Sequence, residues 1–195
     1  MFFDRSDRVY QTMRRVAARL EQEKIPYAII GGMAVNAHGH ERTTRDVDFL
    51  LSAEGFSALR RFAAAGEFQP DPARLRRFID QTTGVRFDVL ITGQFPGSGL
   101  PGPIAFPDPR GVSLRMDDLS VVDLPTLVQL KLAARRYQDF ADVVNLVRAN
   151  QLDERFQDKL HPSVRADYIE CLEERRREDE YEARRDRAED GGNDA

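Results

Sequence analysis

Three residue types are scarce in this chain of 195: one cysteine, three lysines and no tryptophan. Cys171 has no second cysteine to pair with, which excludes an intrachain disulfide framework and a cysteine-based zinc site. A reducing, cytoplasmic location is the expectation. No apolar run is long enough to span a bilayer, so no membrane partner is expected. The first residues, Met1-Phe2-Phe3-Asp4-Arg5, reach charge at once, unlike a secretory signal. Positive charge is not in excess either. The net charge is −4, from 33 acidic and 29 basic residues, and residues 173–195 account for all of it. Residues 1–172 are neutral overall. That excludes a broadly basic nucleic-acid binder but leaves room for a local basic patch.

What is present is globular. Hydrophobic residues make up 41% of the chain and aromatics 9%, enough to build a core. Ser6 is placed to cap a helix running to about Gln22, with Val9, Met13, Val16 and Leu20 at helical spacing. The apolar run 25–30 reads as a buried strand, with Pro26 at its start and Gly31-Gly32 at its end. A short helix is expected over 33–37, a polar loop over 38–45 and a second strand over 46–51. A helix over 53–65 closes at Gly66. Strands are expected near 75–79 and over 85–91. Gly and Pro fill 94–103, where no regular element can form, and the stretch reads as a connector. Short strands and turns follow over 112–122. Asp123 caps and Pro125 opens a helix that continues to about Asn150, with a break near Tyr137, and another helix covers 163–177. The charged tail extends that helix through i,i+4 pairs and frays at Gly191-Gly192.

Three features carry chemistry together: Gly31-Gly32, the pair Asp46 and Asp48 around Val47, and Asp88 within Val85-Arg86-Phe87-Asp88-Val89-Leu90. Side chains alternate along a strand, so Asp46 and Asp48 share one face while Val47 and Phe49 face the core. Phe87 and Val89 likewise leave Asp88 on the opposite face. If the two strands are neighbours, three carboxylates converge. Such a cluster is costly unless a cation neutralises it. Oxygen-only ligands without His or Cys argue for Mg²⁺ or Mn²⁺, held by Asp46, Asp48 and Asp88. A Gly-Gly turn lets the backbone approach a phosphate closely.

A Gly-Gly pair, a 13-residue spacer and Asp-Val-Asp on a strand resemble the signature of the DNA polymerase β-like nucleotidyltransferase superfamily. The approach Arg42-Thr43-Thr44-Arg45-Asp46-Val47-Asp48-Phe49 is similar to its minimal members, the AbiEii-type toxins. A helical stretch with Lys131, then Asp139 and Asp142, looks like their second motif. The resemblance covers 25–152. It implies an α+β fold: a small mixed β-sheet flanked by helices, with a C-terminal helical segment. Residues 1–115 would form the nucleotidyltransferase-like domain, 116–172 the helical segment and 173–195 a charged, partly disordered tail. It implies that Gly31, Gly32, Arg42, Thr43, Arg45 and Lys131 bind a nucleoside triphosphate. Asp46, Asp48 and Asp88 would be catalytic and metal-binding, with Asp139 and Asp142 supporting Lys131.

The implied activity is metal-dependent transfer of a nucleoside monophosphate group from an NTP to an acceptor hydroxyl, with release of pyrophosphate. The acceptor would be a tRNA 3′ end, a protein or a small molecule, and a cognate antitoxin is a candidate partner. Two rival readings stand beside it: a catalytically inactive binding module of the same fold, and a metal-dependent phosphohydrolase. Lys131 reads equally as part of a solvated stripe with Arg135, Gln138, Asp142 and Asn145. His38 and His40 read as loop residues near the site mouth.

Overall fold

The computed structural model describes residues 7–63 and 66–190. Helix α1 (Arg8–Gln22) is capped by Asp7, whose carboxylate accepts from the Val9 N–H at 2.8 Å. The expected cap, Ser6, lies outside the described residues. Val9, Met13, Val16 and Leu20 are buried in one stripe, as their spacing predicts. A fully buried aliphatic side chain of this kind contributes about 1.5–3 kcal/mol.

Strand β1 (Tyr27–Ile30) leads directly into helix α2 (Gly31–Ala37). Strand β2 (Asp46–Leu51), helix α3 (Ala53–Ala63) and strands β3 (Phe68–Pro70), β4 (Arg77–Asp80) and β5 (Arg86–Ile91) follow. After a long loop come the turn α4 (Pro109–Val112), strands β6 (Ser113–Met116) and β7 (Leu119–Val122), and helices α5 (Leu124–Ala134), α6 (Tyr137–Ala149) and α7 (Arg165–Asp190). The strands form one mixed sheet in the order β3-β4-β5-β2-β1-β7-β6. β2 runs parallel to β5 and antiparallel to β1. The fold is α+β, a mixed sheet flanked by helices with a long C-terminal helix.

The register decides where the acids go. Val47 pairs with Phe87 and Phe49 with Val89, all buried, while Asp48 pairs with Asp88 on the opposite face. Aromatic packing pins that register: Phe87 stacks on Phe78 at 5.2 Å and meets Phe68 and Phe49 edge-on at 5.3 and 6.0 Å. A slip by one residue would send the aspartates into this core, which makes it costly.

Several elements depart from expectation. α2 begins at the glycines rather than after them, because Gly31 takes φ +67° and turns strand into helix without a linker. β3 was not anticipated: three residues ending in Pro70 are too few to show alternation. The strand expected near 75–79 is β4, shifted to Arg77–Asp80. α3 is described to Ala63, and the expected closing residues 64–65 lie outside the described residues. The break expected near Tyr137 falls at Arg135, whose φ of +55° ends α5 and lets α6 fold back. Residues from Glu173 to Asp190 continue α7, with i,i+4 pairs such as Arg184–Glu180 at 3.1 Å. Gly191 and Gly192 lie outside the described residues. Among the described residues, no helix is long and apolar enough to cross a membrane.

Candidate functional site

Gly31, Asp48, Asp88, Arg45 and Lys131 line a single open cleft of about 1200 Å³. It lies where β1 ends and β2 begins. Ile30 pairs with Asp48 across these antiparallel strands, so the glycines following β1 sit against the acids opening β2. The fit is tight: a Cβ on Gly31 would fall 2.0 Å from Asp48 Oδ2. One on Gly32 would fall 2.9 Å from Thr44 Oγ1 and 3.0 Å from Arg42 Nη2. Only glycine leaves the space in front of the Asp48 carboxylate open.

Asp46, Asp48 and Asp88 thus come together on one face of β2 and β5. Their charges are unequally met. Arg77, on β4 opposite Asp88, donates from Nε to Asp88 Oδ1 at 2.9 Å and from Nη2 to Oδ2 at 2.6 Å. The same Nη2 lies 4.0 Å from Asp46 Oδ2. Among the described residues Asp48 has no such partner, and its pKa is pushed up to about 7. Burial is the main cause, and repulsion from Asp46 and Asp88 adds to it, against partial relief from Lys131 and Arg136.

Lys131 is inside the protein, 6% exposed, and the solvated-stripe reading does not hold for it. The turn at Arg135 brings α6 back alongside α5, so that Lys131 Nζ donates to Asp139 Oδ1 at 3.0 Å and Asp142 Oδ2 at 2.6 Å. Arg136 Nε donates to Asp139 Oδ2 at 2.6 Å, and Gln138 reaches Asp142 Oδ1 at 3.2 Å. Arg42, from the loop before β2, joins them: its Nε lies 2.9 Å from Asp142 Oδ1, an ion pair without hydrogen-bond alignment. Asn36 holds the Arg42 backbone at both N–H and carbonyl, each at 3.0 Å. Three cations therefore surround two carboxylates, leaving positive charge facing the cleft beside Asp48. Thr43 and Arg45 are exposed on its rim.

The loop after β5 is more than a connector. Gln94 and Gly97 line the cleft, and Gly97, at φ +68°, rests on α5, where a Cβ would lie 2.5 Å from the Ala134 carbonyl oxygen. His38 is structural instead, with Nε2 2.7 Å from the Val122 carbonyl. Sequence reasoning missed Arg77 and Arg136. The signal for Arg77 was present: Phe78 alternates with it, so pairing β4 with β5 across the Gly84 turn puts Arg77 on the Asp88 face.

Among the described residues, no group of three His, Cys, Asp or Glu side chains stands arranged to hold a metal ion. Arg77 instead occupies both Asp88 oxygens. The donor set still has the chemistry of a hard-cation site. It is all oxygen, its central carboxylate has no direct ion-pair partner among the described residues, and the missing Gly31 side chain leaves that carboxylate unobstructed.

No protein-family model matches the sequence, and no curated protein matches it. Solved structures do match by shape. A crystal structure of ANT(2″)-Ia in complex with adenylyl-2″-tobramycin aligns at TM-score 0.52 and 11% identity, covering 83% of this chain and 97% of that one. The solution structure of the antibiotic-resistance factor ANT(2″)-Ia aligns at 0.53 and 11%, covering 86% and 96%. The lincosamide antibiotic adenylyltransferase LnuA, lincomycin-bound, aligns at 0.48 and 16%, covering 70% and 94%. At 11% identity the likeness to the two ANT(2″)-Ia structures is one of fold.

Proposed function

We propose that this chain is a metal-dependent nucleotidyltransferase that moves a nucleoside monophosphate group from an NTP to an acceptor hydroxyl. The observation that carries the reading is the in-register pairing of Asp48 with Asp88, with Asp46 on the same face and Gly31 held against Asp48. Asp46, Asp48 and Asp88 would hold Mg²⁺ or Mn²⁺. When bound, such cations neutralise phosphate charge and make an acceptor hydroxyl more acidic.

The chain's own residues do the rest. Gly31 and Gly32 let the phosphates approach the backbone. Lys131, oriented by Asp139 and Asp142, and Arg42 present fixed positive charge to the triphosphate. Thr43 and Arg45 add contacts at the rim. The acceptor oxygen forms a bond to the α-phosphorus as the bond from that phosphorus to the bridging oxygen breaks. Pyrophosphate leaves with the electron pair, and the hydroxyl proton passes to Asp88 once Arg77 releases it.

Calorimetry of each NTP with and without Mg²⁺ tests this, on the wild type and on Asp46→Asn/Asp48→Asn. Mg²⁺-dependent binding that disappears in the variant is expected; binding that survives unchanged overturns the reading. The Arg77–Asp88 ion pair favours one alternative, a catalytically inactive module that binds NTP without turnover. The stretch 42–49 supports an AbiEii-type assignment in which a cognate antitoxin is the protein partner and the location is cytoplasmic; copurification with the product of an adjacent gene tests it.

A further inference from the structure

The row of carboxylates has two unlike ends. On one side stand Gly31, Gly32 and Lys131, where the proposed function seats the triphosphate. In-line displacement requires the attacking hydroxyl to arrive opposite the departing pyrophosphate, hence from the far side of the row, beyond Asp88. The sheet order identifies that side. β1, β2, β5 and β4 are successive neighbours, so what lies beyond Asp88 is β4 and the turn leading into it, Arg74-Leu75-Arg76-Arg77.

All four of these residues line the cleft. Arg77 is committed to Asp88 and cancels its charge. Arg74 and Arg76 are exposed. The Arg76 guanidinium donates to the Gln94 amide oxygen, a neutral partner. Among the described residues, neither Arg74 nor Arg76 has a carboxylate partner. Asp71, in the same turn, accepts from the Ala73 N–H at 2.8 Å and does not line the cleft. The acceptor end therefore brings two cations without an ion-pair partner to the cleft, while the one carboxylate of the turn, Asp71, does not line it, although residues 1–172 are neutral overall.

We propose that the acceptor is a hydroxyl compound that itself carries phosphate, held by Arg74 and Arg76. This rests on the transferase reading and adds the class of acceptor to it. A guanidinium pair engages phosphate oxygens through paired N–H donors. A polyamine acceptor would meet like charge at this end, which disfavours it. The polymeric form of this chemistry is a polynucleotide with a free 3′ hydroxyl, and the monomeric form is a sugar phosphate.

The test uses the full chain with Mg²⁺. A fluorescent oligoribonucleotide with a free 3′ hydroxyl is titrated by polarisation at several salt concentrations, against wild type and Arg74→Gln/Arg76→Gln. Loss of about tenfold in affinity is expected, and the slope of log affinity against log salt should fall by about 1.4, at ~0.7 per cation on a single strand. In parallel, label transfer from an α-labelled NTP is followed to the oligoribonucleotide, to ribose 5-phosphate and to tobramycin. Transfer to either phosphorylated acceptor, weakened by the double variant, supports the proposal and tells the two sources apart. An oligoribonucleotide salt slope and sugar-phosphate transfer that are both indifferent to the double variant overturn it, as does labelling of tobramycin in preference to both. NTP binding by calorimetry is read separately. Its presence with failed acceptor recognition rejects this proposal alone, and its absence rejects the underlying reading.

Discussion

Arg77 grips Asp88 through two parallel hydrogen bonds, Nε to Oδ1 at 2.9 Å and Nη2 to Oδ2 at 2.6 Å, in the place where a metal ion would draw the same oxygens. The Arg77 side chain is 12% exposed and belongs to the strand next to that of Asp88. It is thus a counter-ion built into the sheet, and a cation arriving at Asp88 has to displace it.

Removing that competitor should strengthen metal binding. Arg77→Ala is expected to bind Mn²⁺ about tenfold more tightly in the absence of nucleotide, equivalent to about 1.4 kcal/mol, because charge-assisted bonds no longer have to break first. Mn²⁺ titration by electron spin resonance reads this directly. Adding Asp88→Asn should cancel the gain, and an unchanged affinity in Arg77→Ala would show that the ion pair does not gate the site.

Asp48 makes the opposite trade between function and stability. Its folded pKa is about 7, against an ordinary value of 3.8. The folded chain therefore holds that proton more tightly than the unfolded chain does. Stability from this group is fully present at low pH, falls as pH rises from about 4 to about 7, and is lost above. Asp48→Asn removes the penalty. It should raise stability at pH 8 by on the order of 2 kcal/mol, roughly 4–8 °C in Tm, and flatten the pH dependence while abolishing transfer. A variant less stable than wild type at pH 8 would contradict this account.

Lys131 behaves differently because it is matched. Lys131→Met leaves Asp139 and Asp142 buried with only Arg136, Arg42 and Gln138 to answer them. A loss of about 3 kcal/mol is expected in urea unfolding, since each buried carboxylate loses a charge-assisted hydrogen bond, at about 1.5–3 kcal/mol apiece. Lys131→Met/Asp142→Asn should recover part of it. A loss under about 1 kcal/mol in the single variant would mean that water reaches these carboxylates.

Gly31 carries two constraints at once, φ of +67° and a Cβ position 2.0 Å from Asp48 Oδ2. Gly31→Ala should cost about 1–3 kcal/mol from the backbone conformation alone and displace the Asp48 carboxylate. Mg²⁺-dependent NTP binding should fall with it. Gly66→Ala is the control, since its φ is +99° but nothing lies within 4 Å of the added Cβ; it should destabilise without affecting NTP binding.

Cys171 is buried, and burial with nearby Glu170, Asp167 and Glu174 pushes its thiol up to about 12. The thiolate is the reactive form, so alkylation by iodoacetamide at pH 8 should be slow in the native protein and fast in denaturant. Fast native labelling would mean that α7 opens readily.

Alternation and turn chemistry were enough to read most of the architecture. The bounds of β2 and the face its two aspartates share follow from Asp46-Val47-Asp48-Phe49, and the α5 start follows from Pro125 and from Asp123, whose carboxylate accepts from the Thr126 N–H at 2.8 Å. β3 was illegible because three residues carry no period. The fate of Lys131 was illegible for another reason: one left-handed residue, Arg135, separates a solvated stripe from a buried ion network, and local propensity does not assign that φ to arginine.

By itself, the sequence determined which residues could face the core and which could carry charge on the opposite face, because the two-residue and 3.6-residue periods are local properties of the backbone. It also placed a Gly31-Gly32 turn at the end of a buried strand, while the tertiary structure set Gly31 against Asp48. Only the tertiary structure decided what each charge meets. Pairing β4 with β5 set Arg77 on Asp88, and folding α6 back on α5 closed Lys131 onto Asp139 and Asp142. Those partners lie far apart in the chain or across a turn, and electrostatic pairing depends on separation in space, which strand order and helix reversal create.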